Sequence, residues 1–255
     1  MKHFTVFFLA LLMLGLSACA KQAENLVADK EAIREEGVLR IGVTQCPPFA
    51  ERKDDEWEGF DIALAEALCQ ELDLEPEFME LDWENRWEAL GNRTVDCLMG
   101  GLSATDDLLG QADLTETYLA SRPVLVTAAS ARDSNLNGAV IAVESGSAGQ
   151  MAAEICLEGI EVEPVSSQLE ALKRVAQGEA QAAVVDILLA QEVLEKWDLE
   201  ILEQPDLGVE EMSIALRKGS DLTGELNRVL RELQSSGKLE ALALEYGMAE
   251  ELIQG

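Results

Sequence analysis

From Val38 onward, short apolar runs of strand character alternate with segments whose apolar residues recur at helical spacing. This alternation is the strongest constraint in the chain. Strands joined through helices pair in parallel and need helices on both faces of the sheet to cover them. Val38–Val43 reads as a strand, and Gly59 opens a helix that puts Phe60, Leu64, Leu68 and Leu72 on one face. A short strand at 77–81, a short helix marked by Trp83, Trp87 and Leu90, and a strand at 95–99 running into Gly100-Gly101 complete a first set.

A second set follows. Strands are expected at 123–126, 139–143, 160–165 and 182–186, with a helix at 168–177. Ser145-Gly146-Ser147-Ala148-Gly149 is a small-residue loop that enters another helix. A strand at 212–216 and two helices end the chain; Asp221 is a good N-cap for the first, and Gly237 and Gly247 suit helix ends. A length of 255 residues accommodates two α/β units of modest size. Ligands of open α/β sheets sit beyond the carboxyl ends of the strands. Both Gly-rich loops follow strands, so two facing lobes would bring them to one cleft.

The N-terminus is a different kind of sequence. Met1-Lys2-His3 is a basic start, and the apolar run from Phe4 to Leu16 is shorter than the ~18–20 residues that span a bilayer. It reads as a signal-peptide core. Leu16-Ser17-Ala18-Cys19 resembles the lipobox of bacterial lipoproteins, in which the Cys becomes the lipidated N-terminus. Residues 1–18 are therefore expected to be a leader, Cys19 the anchor, and 19–37 a tether, helical or loose.

Removal of the leader takes Lys2 and the chain's one His, His3, and moves the formal charge from −30 to −31. A chain without His has no Ser-His-Asp or Cys-His pair, no imidazole acid–base group and no His-ligated metal. So acidic a chain, with no run of Lys or Arg, repels phosphate backbones, which excludes nucleic acid as a partner. Cys46, Cys69, Cys97 and Cys156 show no CxxC spacing, and Cys69 and Cys97 lie in apolar segments suited to buried thiols. No essential disulfide, metal or cofactor is expected.

Three positions stand out chemically. Asp186 ends an apolar strand, where an unpaired charge is costly; it serves either a ligand or the cap of the next helix. Ser147 to Gly149 begin a helix whose free N–H groups suit an anion, or supply only turn chemistry. Trp83 offers a flat apolar face that can also take a cation, or packs in the core with Trp87 and Leu90.

The ordered set of segments resembles a known family. Leu39-Arg40-Ile41-Gly42-Val43 with Pro47-Pro48-Phe49 comes first, then Gly59-Phe60-Asp61-Ile62, Asn85-Arg86, Val95-Asp96 and Gly100-Gly101-Leu102-Ser103-Ala104-Thr105. Leu136-Asn137-Gly138, Glu144-Ser145-Gly146-Ser147, Ala183-Val184-Val185-Asp186 and Leu216-Arg217-Lys218 complete it. Over roughly 38–246 the chain resembles the bacterial extracellular solute-binding proteins of the polar amino-acid type, the periplasmic receptors of ABC importers. The resemblance implies an α/β fold of the type II periplasmic-binding-protein class: two α/β lobes joined by two crossing strands around a ligand cleft. Lobe one would be 38–121 plus 207–255 and lobe two 126–203. It also implies a monomer that binds, closes and presents its solute to permease subunits, held to the membrane only by its lipid.

The resemblance puts the ligand against Trp83, gives Gly101 and Ser103 contacts to an amino-acid backbone, and pairs Asp186 with the α-ammonium. Two departures matter. The Arg that the family uses to clamp the α-carboxylate is Leu108 here, and the aromatic often found before Pro-Pro-Phe is Cys46. Arg86 is the expected substitute, acting with the Ser147 helix start on the anionic end; its alternative is a surface residue paired with Glu88 or Asp82. Arg122, near the first crossing strand, is a weaker candidate. Two other functions suit the same fold: a dehydratase of prephenate-like substrates and a sensing lobe for a separate partner.

Overall fold

The computed structural model describes residues 28–132, 135–202 and 205–253. The leader, Cys19 and the first part of the expected tether lie outside the described residues. The first lobe opens with α1 (Asp29–Glu36), β1 (Val38–Val43), the hairpin β2 (Glu51–Lys53) and β3 (Glu56–Glu58), α2 (Phe60–Leu72) and β4 (Glu75–Glu80). A 3-10 turn at Trp83–Asn85 leads into α3 (Arg86–Gly91), β5 (Cys97–Leu98), α4 (Asp106–Gln111) and β6 (Ala112–Leu114). β7 (Leu119–Ser121) then carries the chain across. The second lobe holds β8 (Pro123–Ala128), β9 (Val140–Glu144), α5 (Ala148–Cys156), β10 (Glu161–Val165), α6 (Gln168–Gln177), β11 (Ala182–Asp186), α7 (Ile187–Trp197) and β12 (Leu199–Leu202). β13 (Glu210–Met212) returns to the first lobe, which ends in β14 (Ala215–Arg217), α8 (Leu222–Ser235) and α9 (Lys238–Glu245).

Each lobe carries a five-stranded sheet, in the orders β4-β1-β5-β14-β6 and β10-β9-β11-β8-β12. The crossing strands β7 and β13 pair antiparallel with each other, Ser121 opposite Glu210. The expectation of purely parallel sheets needs correction. β4, β1 and β5 run parallel, as do β10, β9 and β11, but β14 and β8 run antiparallel to their neighbours. The cause is the crossover. Each of these two strands follows a crossing strand and enters its sheet from the cleft side, opposite to the strands that helices return.

The expected strand at 212–216 is split for the same reason. Met212 belongs to the crossing pair and Ala215 to the first sheet. Between them Ser213 donates its N–H to Leu102 O and Ile214 to Thr115 Oγ1. Phe60, Leu64 and Leu68 of α2 are buried as the periodicity requires, and β11 is buried along its whole length.

The tether expectation changes most. Its last part is α1, which packs on the first lobe through Ile33 and Asp29, 3 % and 1 % exposed. The Asp29 carboxylate accepts from Arg217 Nε at 3.0 Å and from Ser220 Oγ at 2.8 Å. Asp221, expected to cap α8, makes no such bond there. Its Oδ1 instead accepts the N–H groups of Asp29 and Lys30 at 2.9 Å, capping α1 from across the fold. Cys46, Cys69 and Cys97 are buried free thiols and Cys156 is exposed. No described helix is long and apolar enough to cross a membrane.

Candidate functional site

A small cavity of about 20 Å³ lies between the lobes. The first lobe lines it with Trp83, Arg86, Gly101, Leu102, Ser103 and Thr105; the second with Glu144, Gly146, Ser147, Ala148, Gly149 and Gln168; the crossing strand β13 adds Glu210. Of the residues singled out by sequence, Trp83, Arg86, Gly101, Ser103 and Ser147 are therefore brought together. Asp186 is not in that lining but adjoins it, its N–H donating to Gln168 Oε1 at 2.7 Å. Arg122 is exposed and outside the lining.

The Gly100-Gly101 loop owes its shape to a residue that sequence reasoning quoted without assigning a role. Asp61, fully buried at the start of α2, accepts the N–H groups of Gly100 and Gly101 at 2.8 Å each, and the Tyr118 hydroxyl at 2.8 Å. Gly101 sits at φ +73, and a Cβ there would lie 2.8 Å from the Phe49 ring, so only glycine fits without strain. Burial raises the Asp61 carboxyl above its ordinary range, while its three donors pull it down.

Arg86 is a buried residue, 6 % exposed, which removes the surface pairing with Glu88 or Asp82. Nη1 donates to Trp83 O at 2.5 Å and Nη2 reaches Gly146 O, in the other lobe, at 3.4 Å. Its Cζ lies 4.4 Å from the Trp83 ring centroid and 5.0 Å from that of Trp87, within the range of cation–π attraction. Trp83 is thus both well packed and a wall of the cavity. Its Nε1 and the Arg86 Nε are buried without a hydrogen-bond partner.

In the second lobe, Ser147 is the N-cap of α5, its Oγ accepting from Gln150 N at 3.0 Å. The first N–H groups of a helix have no intrahelical acceptor, and Ala148 and Gly149 line the cavity there. Turn chemistry and an anion-receptive end coexist. Asp186 likewise caps α7, its Oδ1 accepting from Leu188 N at 2.8 Å, with the Leu189 amide and the Ser121 hydroxyl as further donors to the carboxylate. Burial pushes this carboxyl up to about 6.

Two further carboxylates escaped sequence reasoning. Glu144 ends β9 as Asp186 ends β11, so the argument from a charge closing an apolar strand applies to it equally. Burial pushes it up to about 7 against the pull of Arg86 and Gln168. Glu210 accepts from Ser103 Oγ, and burial followed by repulsion from Asp186 pushes it up to about 8. No sequence signal marks Glu210, since only the pairing of β13 with β7 brings it to the cleft. Burial, then Glu144, Asp186, Asp61 and Glu210, also raises the Cys46 thiol, which lies among these acids. Among the described residues, no group of three His, Cys, Asp or Glu is disposed to hold a metal ion.

Residues 39–249 match the family described as bacterial extracellular solute-binding proteins, family 3. The chain belongs to that family. By that membership it is an extracellular solute-binding protein. It is 28% identical over 226 residues to the L-arginine-binding protein of Pseudomonas aeruginosa, covering 82% of this chain and 87% of the relative. It is 26% identical over 253 residues to the arginine-binding extracellular protein ArtP of Bacillus subtilis, covering 94% and 98%. Among solved structures, the ancestral amino acid-binding protein AncCDT-1, a precursor of cyclohexadienyl dehydratase, superimposes with a TM-score of 0.78 at 26% identity, covering 85% of this chain and 98% of that one. The two-lobed type II architecture is common to both.

Proposed function

We propose that this family-3 protein is a monomeric, lipid-anchored receptor for an amino acid, tethered through Cys19 and delivering its solute to permease subunits. The observation that carries the ligand assignment is the pair of unpartnered donors in the cavity wall, with a buried acid adjoining it. Trp83 Nε1 and Arg86 Nε are buried donors without acceptors, and the Asp186 carboxylate, which has the Ser121 hydroxyl and the first α7 amides as donors, is a buried acid with no cation paired to it among the described residues. Buried polar groups in folded proteins are almost always paired and buried charges compensated, so the two nitrogens and the carboxylate suit a partner with both an anionic and a cationic end. A zwitterion has them.

In this reading the α-carboxylate sits against Arg86 and the first N–H groups of α5 at Ser147, replacing the family clamp lost at Leu108. A guanidinium suits a carboxylate as a fork. The α-ammonium meets Asp186, Gly101 and Ser103 contact the backbone of the ligand, and Trp83 covers its apolar part. Arg86 also reaches Gly146 O across the cleft, so the residue that reads the ligand also joins the lobes.

Calorimetric titration of wild type and Arg86→Ala with a panel of amino acids tests this. A charge-assisted hydrogen bond is worth about 1.5–3 kcal/mol, so affinity should fall about ten- to a hundredfold. Unchanged affinity in Arg86→Ala would refute the role.

A further inference from the structure

The crossing strand β7 is held along both edges. β13 occupies one of them. The segment that follows α9 takes the other. Ala120 N–H donates to Glu251 O at 2.7 Å and Ile253 N–H to Tyr118 O at 3.3 Å, which sets Leu252 antiparallel opposite Leu119. This segment is anchored away from β7 as well. Gln234 Nε2 of α8 donates to Ile253 O at 2.9 Å, and buried Met248 donates its N–H to Ala243 O at 2.7 Å. Leu252 packs against the core that contains Leu119. A two-stranded ribbon is marginally stable by itself, and a third strand with an apolar face makes it firm.

Tyr118 joins this third strand to the cavity. It is buried, its N–H donates to Met212 O at 3.0 Å, its carbonyl accepts from Ile253, and its hydroxyl donates to Asp61 Oδ1 at 2.8 Å. Asp61 Oδ2 accepts the N–H groups of Gly100 and Gly101, and Gly101 lines the cavity. We propose that residues 251–253 form a strap on the crossing strand that positions the Gly100-Gly101 loop of the cavity through Tyr118 and Asp61. The strap touches no ligand, since the cavity lining contains none of its residues. Its influence passes through hydrogen bonds that each have a named donor and acceptor. Asp61 is fully buried, so a donor lost from its carboxylate is not replaced by bulk water. A shift of Tyr118 therefore reaches the two glycine amides that share the same carboxylate. The inference is independent of which solute the cavity takes.

Amide hydrogen exchange, read residue by residue by NMR on the full chain without added solute, tests this. Ile253→Pro deletes the N–H that Tyr118 O accepts, and Ile253→Ala keeps that N–H while removing the side chain. One backbone hydrogen bond corresponds to about a two- to tenfold change in a local opening equilibrium. Ile253→Pro should therefore speed exchange at Gly100 and Gly101 about two- to tenfold and leave Val184, in β11 of the other lobe, as in wild type. Ile253→Ala should leave all three as they are. Tyr118→Phe should itself speed the two glycines, and adding Ile253→Pro to it should change them no further. Unchanged glycine exchange in Ile253→Pro, or an equal rise at Val184, would overturn the strap. So would the same rise in Ile253→Ala, or full additivity with Tyr118→Phe. If Ile253→Pro does not fold, Gln234→Ala, which releases Ile253 O, should give a smaller rise at the same two glycines, and its absence would overturn the proposal.

Discussion

Arg217 is where stability can be tested most sharply. It is 8 % exposed at the end of β14 and donates in four directions. Nε reaches Asp29 Oδ2 at 3.0 Å, Nη1 reaches Leu90 O at 3.1 Å and Val95 O at 2.7 Å, and Nη2 reaches Asp96 Oδ1 at 3.3 Å. Arg217→Met keeps much of the apolar stem and deletes the fork. Breaking a buried pair from one side costs about 3–5 kcal/mol, because the abandoned charge remains buried. Two carboxylates are abandoned here, but neither entirely. Asp29 retains Ser220 and Arg93, and Asp96 retains the Arg40 N–H at 3.0 Å. The lower half of the range, about 3–4 kcal/mol, is therefore expected. Urea unfolding followed by circular dichroism measures it, and thermal melting should fall by about 6–16 °C on the ordinary scaling for a chain of this size. The α1 amides should lose exchange protection first, since Asp29 is their link to the lobe. A loss under about 1 kcal/mol would refute the claim that this network holds α1 in place.

Two further outcomes follow from the carboxylates and the leader. Asp186, Glu144 and Glu210 have folded values raised to about 6, 7 and 8, so the ligand-free protein holds protons that the unfolded chain has already released. Its stability is therefore fullest below about pH 4 as far as these groups are concerned and declines as pH rises to about 8. Glu225, held down to about 2 by Lys30 and Arg228, acts in the opposite sense only at lower pH. Melting curves at pH 5, 6.5 and 8 should show the decline, and a rise across that interval would refute it. Cys19→Ser should shift the expressed protein from the membrane to the soluble fraction; retention on membranes would refute lipid anchoring.

Much of the fold was legible because it is periodic. The α2 face of Phe60, Leu64 and Leu68 and the buried run of β11 come from spacing alone. The split at 212–216 was illegible, because a continuous apolar run does not reveal that its two ends pair in different sheets. Asp221 shows the same limit in another form. Its residue type marks a cap correctly, but the helix it caps begins 192 residues away.

At the site, local sequence was enough to nominate residues that close apolar strands or open helices, as with Asp186 and Ser147. The same rule reaches Glu144. It could not reach Asp61, whose work is to hold a loop 39 residues further on, or Glu210, which enters the cleft only because β13 pairs with β7.

What the sequence by itself determined is therefore the local order: where strands and helices lie and which faces are apolar. What tertiary structure decided is the company each charge keeps. Arg86 became a buried bridge rather than a surface residue, and Glu144 and Glu210, from distant segments, came to share one cavity with Asp186 adjoining it. The physical reason is that periodicity records which side of an element avoids water, whereas electrostatic energy depends on distances between elements, which exist only once the two lobes meet.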